Sequence, residues 1–171
     1  MSGSSNLEMT VLMSPEMANF SGKVHGGALL NILDCVAFSC ASRYSEMYCV
    51  ALSVDQVTFN EAIRVGALVT FRAAVNLTGR SSMEVGIRVE AEDIRSGTIR
   101  HTNSCYFTMV AVDDVGRPSR VSALKPVDEA GIRRNQSALV CKGLRREFST
   151  RFAEISSAQR LEQSVDQAIG G

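Results

Sequence analysis

Histidine is nearly absent from this 171-residue sequence, which holds only His25 and His101, and the five cysteines include no CxxC pair. So few imidazoles and no closely spaced thiols argue against a structural zinc site. Cys35, Cys40, Cys49, Cys105 and Cys141 are odd in number, which suits small apolar side chains in a reducing compartment better than a disulfide framework. An excess of either charge is missing as well. Lys and Arg number 18, as do Asp and Glu, so bulk electrostatics gives no reason to expect nucleic acid or a membrane surface as partner. Residues 1–13 lack the basic start and apolar run of a secretory leader. Residues 24–42 approach membrane-spanning length, but His25, Asn31, Asp34, Ser39 and Ser42 interrupt them. No internal repeat or low-complexity tract is present. These absences together predict a cytoplasmic protein that binds no metal, no nucleic acid and no membrane.

What is present centres on the stretch from Asn19 to Arg43. Between Lys23 and Arg43 the only formal charge is Asp34, and Leu29, Leu30, Ile32, Leu33, Val36, Ala37, Phe38, Cys40 and Ala41 cover almost every side of a helix. A helix apolar nearly all round is expected to be buried. An unpaired carboxylate buried there costs several kcal/mol or becomes neutral, so Asp34 demands a reason. The helix is predicted to begin near Gly26 and end near Tyr44 and Ser45, after a loop over residues 14–23 marked by Pro15, Asn19 and Gly22.

Strands surround it. Residues 7–13 alternate weakly, Val50, Leu52 and Val54 begin a strand predicted to continue to Phe59, and Val69, Phe71, Ala73, Val75 and Leu77 share one face of the next. The cleanest pattern sends Met83, Val85, Ile87, Val89 and Ala91 one way and Glu84, Arg88, Glu90 and Glu92 the other, as a half-buried antiparallel sheet requires. A last strand runs over residues 99–112. One long helix with antiparallel strands implies an α+β domain, assigned to residues 7–126. Residues 127–171 form a helical extension, with Leu144, Phe148, Phe152, Ile155, Leu161, Val165 and Ile169 as its apolar stripe. Its Lys142, Arg145, Arg146 and Arg151 form a solvated face, a subunit-contact arm or a surface for phosphate.

Three features converge on chemistry. Gly26 and Gly27 allow a ligand close to the first-turn N–H groups, where the helix dipole favours a developing oxyanion. Asp34 lies two turns further on, about 10 Å along the axis, and could hold a water or attack a carbonyl. Asn19 offers an amide that both donates and accepts. Each also has a plainer reading: a helix entry, a carboxylate bonded to Asn31 or to a partner chain, and a loop residue. His25 reads as a structural donor, and His101 as a packing or surface residue.

The segment MSPEMANFSGKVHGGALLNILDCVAFSCASR, followed by GRSSMEV at 79–85 and MVAVDDVGRP at 109–118, resembles the acyl-CoA thioesterases of the hot dog fold, closest to the bacterial and brain-type acyl-CoA hydrolases. The resemblance covers residues 10–126. It implies an antiparallel sheet wrapped around one central helix, paired protomers whose sheets join, active sites at the dimer interface, and trimers of such dimers. It also implies that Asp34 is the catalytic acid, as base or nucleophile, with Asn19 contributed by the other protomer. His25, Gly26 and Gly27 would hold the thioester carbonyl, and Gly79, Arg80, Ser81, Ser82 and Met83 would contact coenzyme A. No cofactor is implied beyond the coenzyme A of the acyl-CoA substrate. The sequence departs from the family at Ala62, where a proline is usual, at Ala67, where an acidic residue is common, and in a closing stretch reduced to residues 122–126. Two rivals remain: an enoyl-thioester hydratase or dehydratase with His25 as its proton carrier, and a non-catalytic acyl-CoA-binding module.

Overall fold

Helix α1 (Gly26–Ser45) forms where the apolar run predicts it, in a computed structural model that describes residues 3–55 and 57–169, with side chains up to residue 156. His25 holds extended backbone angles at its N-cap, and Glu46 ends it in the left-handed region with its N–H on the Ser42 carbonyl. Only one face of α1 is buried: Leu29, Leu33, Val36, Ala37, Cys40, Ala41 and Tyr44 pack into the core. Burying each of the larger side chains contributes roughly 1.5–3 kcal/mol.

That core is completed by a five-stranded antiparallel sheet: β1 (Asn6–Leu12), β2 (Tyr48–Val54), β3 (Leu68–Thr78), β4 (Ser82–Asp93) and β5 (Thr98–Val112), in the order β1-β3-β4-β5-β2. Alternate residues turn inward: Val69, Phe71, Ala73 and Val75 from β3, Met83, Val85, Ile87, Val89 and Ala91 from β4, Cys105, Phe107, Met109 and Ala111 from β5. Burial pushes the thiols of Cys40 and Cys105 up to about 12, so both behave as small apolar side chains.

The two ends of α1 are fixed by different neighbours. At its C-terminal end, Ser45 Oγ lies 3.3 Å from Cys49 Sγ, Cys49 pairs with Ala111, and Gly3 N–H bonds the Tyr44 carbonyl. At its N-terminal end, Val24 N–H bonds Ile63, and a Cβ built on Gly26 would lie 3.7 Å from the Phe59 ring. The helix between them is about 28 Å long.

Three expectations change. β2 stops at Val54 instead of reaching Phe59. Its register slips between Ala51 and Ser53, and beyond Val54 the chain meets β5 through Asp55 N–H on Tyr106 and Asn60 N–H on Thr102. A bulge of this kind ends regular pairing at a sheet edge. Glu84, expected to face solvent, is 4% exposed, and Ala74 and Asn76 beside it are also buried. The outer face is crowded there: a Cβ on Gly86 would collide with Asn76 Nδ2 at 2.4 Å. The third is Asp34, which is exposed, because the sheet covers only the opposite side of α1.

β2 is an edge strand of unusual character. Tyr48, Val50, Leu52 and Val54 are all exposed, Leu52 to 69%. Edges are normally blunted with charge, and this one is apolar.

The chain divides into two compact units, residues 1–125 and 126–171. The second consists of α2 (Glu129–Ile169), about 60 Å of helix. Leu144, Phe148, Phe152 and Ile155 are exposed along it, with the two phenylalanine rings stacked 6.1 Å apart. Among the described residues no helix is long and apolar enough to cross a membrane.

Candidate active site

Asn19 sits half-buried in the loop before α1, where its Oδ1 accepts from Ser21 N–H (2.9 Å), Ser21 Oγ (2.8 Å) and Lys23 N–H (3.1 Å). Its backbone N–H also bonds the Lys23 carbonyl, and Gly22, at φ 70°, turns the chain between them. The carboxamide oxygen therefore holds the loop together, which is the plainer role. Nδ2 keeps its donors for another partner. Beside it Phe20 is fully exposed at the loop tip.

His25 is an acceptor here, not the donor expected. Its Nδ1 receives the Gly27 N–H at 2.9 Å and caps α1. This geometry places the ring proton on Nε2. The Gly27 donor assigned to a thioester carbonyl is thus occupied by the chain's own imidazole. Replacing His25 with Ala should cost about 1 kcal/mol of stability, the usual value of a cap, read as a melting temperature lower by several degrees.

Asp34 accepts no hydrogen bond and joins no ion pair among the described residues. The alternative of a bond to Asn31 is not realised, since Asn31 Oδ1 faces Cys35 Sγ at 3.9 Å. The open side of α1 thus presents a free carboxylate next to the exposed Leu30 and Cys35. His101 bonds Ser104 at 2.9 Å on an exposed strand face, the surface role expected.

The turn of residues 79–82 lies elsewhere. Gly79 N–H bonds the Ser82 carbonyl, Arg80 and Ser81 carbonyls accept from Val121 and Ala111, and the Arg80 side chain is exposed. A Cβ at Gly79 would come within 2.6 Å of Ser82 Oγ, so any larger residue there would turn the serine hydroxyl aside. Met83 is 1% exposed and belongs to the core, so its side chain is unavailable to a ligand. Because this turn packs beside Ala111, it sits at the C-terminal end of α1. The structure brings Asn19, His25, Gly26 and Gly27 to one end of the helix and puts Gly79, Arg80, Ser81 and Ser82 at the other, with Asp34 between.

Residues 21–98 match the model of the thioesterase superfamily. Protein VdlD of Helicobacter pylori is 50% identical over 139 residues, covering 81% of this chain and 79% of its own length. The chain belongs to the thioesterase superfamily. Its hot dog architecture is shared with a hexameric acyl-CoA thioesterase solved without ligand, with a TM-score of 0.82 at 32% identity over 85% of this chain and 93% of that one. A Staphylococcus aureus acyl-CoA hydrolase bound to butyryl coenzyme A superposes with a TM-score of 0.78 at 26% identity, over 90% of this chain and 95% of that one. That hydrolase has also been solved with an aspartate, an asparagine or a threonine replaced by alanine. The asparagine and aspartate are spaced in sequence as Asn19 and Asp34 are in this superfamily member. The threonine's spacing from the aspartate falls here on Ala51, which has no hydroxyl. Ala51 pairs with the core residue Met109 beside the β2 bulge. Sequence reading passed over this position because an alanine in a strand carries no chemical signal.

Proposed function

We propose that this chain hydrolyses acyl-CoA to a free carboxylic acid and coenzyme A, at a site shared by two protomers. The observation that carries the proposal is the exposed Asp34 carboxylate, two turns from a glycine-lined helix start. Asn19 and Asp34 also share the spacing of two residues replaced in an acyl-CoA hydrolase of the same fold. Distance supports a partner's part in the site: the turn carrying Arg80 and the helix start carrying Gly26 lie at opposite ends of α1 within one chain.

In this mechanism the thioester carbonyl approaches the first turn of α1, displacing the His25 imidazole from Gly27 N–H or using the N–H groups beside it. Asp34 takes a proton from water, which attacks the carbonyl carbon, or adds to that carbon itself through an anhydride that water then opens. Asn19 Nδ2 of the second protomer orients the reactants, and the carbon–sulfur bond breaks to release the thiolate. Arg80, with Gly79, Ser81 and Ser82, meets the phosphates of coenzyme A as a charged group on a tight turn. No metal or organic cofactor is needed. The apolar edge of β2 and the fully exposed Phe20 favour an oligomer built on a two-fold pair, such as a trimer of dimers.

Purified protein should release free thiol from at least one acyl-CoA in a series from acetyl to palmitoyl, detected with a chromogenic disulfide. A flat response across the series would remove the proposal.

A further inference from the structure

Asn103 has no exposed surface, and its Nδ2 has no hydrogen-bond partner. It falls in phase with Cys105, Phe107, Met109 and Ala111 on the face of β5 that packs into the core, and it pairs with the buried Val89. Ala111 marks the C-terminal end of α1. Eight residues back along β5, about 26 Å, the strand reaches Asn103 at the level of the first turns of α1. Two contacts place it there independently: Thr102 accepts the Asn60 N–H at 3.2 Å, and Phe59 adjoins Gly26.

The local hydrogen bonds do not balance. Thr102 Oγ1 lies 3.3 Å from the Val89 carbonyl and 3.2 Å from Asn103 Oδ1, yet a hydroxyl has one proton to give. Among the described residues the buried amide nitrogen of Asn103 thus points into the interior without a partner. Buried amides are nearly always satisfied, and an apolar residue of the same size would avoid the penalty.

Resting on the thioesterase proposal, we infer that Asn103 determines acyl-group specificity: its amide hydrogen-bonds an oxygen carried on the acyl chain. The substrates it favours are hydroxyacyl- and ketoacyl-CoA over saturated acyl-CoA of equal length. With the carbonyl at the helix start and the hydrophilic coenzyme outside, the acyl group is the part of the substrate that reaches inward. A saturated chain leaves the amide unmet, whereas a hydroxyl or keto oxygen closes it. Sites with a buried group waiting for a substrate oxygen discriminate strongly against analogues that lack it.

The test compares 3-hydroxybutyryl-CoA and acetoacetyl-CoA with butyryl-CoA on the full chain, as kcat/KM and as calorimetric binding of the matching non-hydrolysable thioethers. The parent should favour the oxygenated ligands by about tenfold in both measurements. Asn103→Leu should bring the ratio of oxygenated to butyryl-CoA kcat/KM, and of the matching thioether affinities, to about one, and should melt no lower than the parent. Asn103→Val replaces it should the leucine variant not fold. Equal treatment of oxygenated and saturated ligands by the parent overturns the inference, as does a folded variant that keeps the preference. If no thioester from acetyl to palmitoyl is hydrolysed the thioesterase proposal falls, while the thioether affinities still decide the role of Asn103; absence of thioether binding overturns the Asn103 inference alone.

Discussion

Asp34→Ala should lower kcat by about a thousandfold or more while the protein melts at or slightly above the parent's temperature. The two halves of this result come from one geometric fact. Asp34 lies in the interior of α1, on the side turned away from the sheet, with no hydrogen bond or ion pair among the described residues. Alanine is the best helix former and aspartate a poor one, so the change favours the helix by several tenths of a kcal/mol. In the proposed mechanism the carboxylate serves the reaction, while among the described residues it makes no bond that holds the fold of the single chain. Size-exclusion chromatography should find the variant's oligomer unchanged, and a thermal melt should find its stability preserved. A variant that hydrolyses acyl-CoA at the parental rate would remove Asp34 from the chemistry. One that unfolds would show the carboxylate to be structural.

A second large effect is expected from the double substitution Val50→Lys and Leu52→Lys. Both residues are exposed on the edge strand β2, so the single chain loses no core packing. Around a two-fold axis each edge meets its own copy, and the introduced ammonium groups would be brought together and desolvated. A penalty of several kcal/mol shifts dissociation by about a thousandfold. Light scattering should report monomers with native circular dichroism. Hydrolysis should collapse with the oligomer, although Asn19, Asp34 and the glycines are untouched. Monomers that remain fully active would confine the site to one chain, and an oligomer that survives would place its interface away from β2.

The limits of α1 were legible because an uninterrupted apolar run between a glycine pair and a charged end allows few alternatives. Residues 83–91 were legible for a similar reason, since strict alternation admits only a half-buried strand. What escaped has a common physical origin. Periodicity reports that a side chain is apolar, and not which surface covers it. Asp34 was expected to be buried because α1 is apolar on most sides, yet its own sheet covers one side only. The same gap hid the exposed edge at β2, whose residues read like any other strand. Glu84 was sent to solvent by its alternation, whereas crowding around Gly86 is a matter of neighbouring strands. The His25 cap is local, reaching only to Gly27, and was misread as a donor; Ala51 carries no chemical signal, and the unmet amide of Asn103 depends on strands distant in sequence that no local pattern shows.

The placement of the helix start and the Arg80 turn at opposite ends of α1 has a genetic consequence. If the site is assembled from unlike parts of two chains, as proposed, a mixed dimer of an Asp34 variant and an Asn19 variant gathers both defects into one site and leaves the other complete. Two variants that are inactive alone would then regain activity when their chains are mixed. Two copies fused in tandem would relax this constraint, because each half could keep the parts that serve one site and let the others drift. The length of a single helix thus sets which mutations are shared burdens and which are private ones.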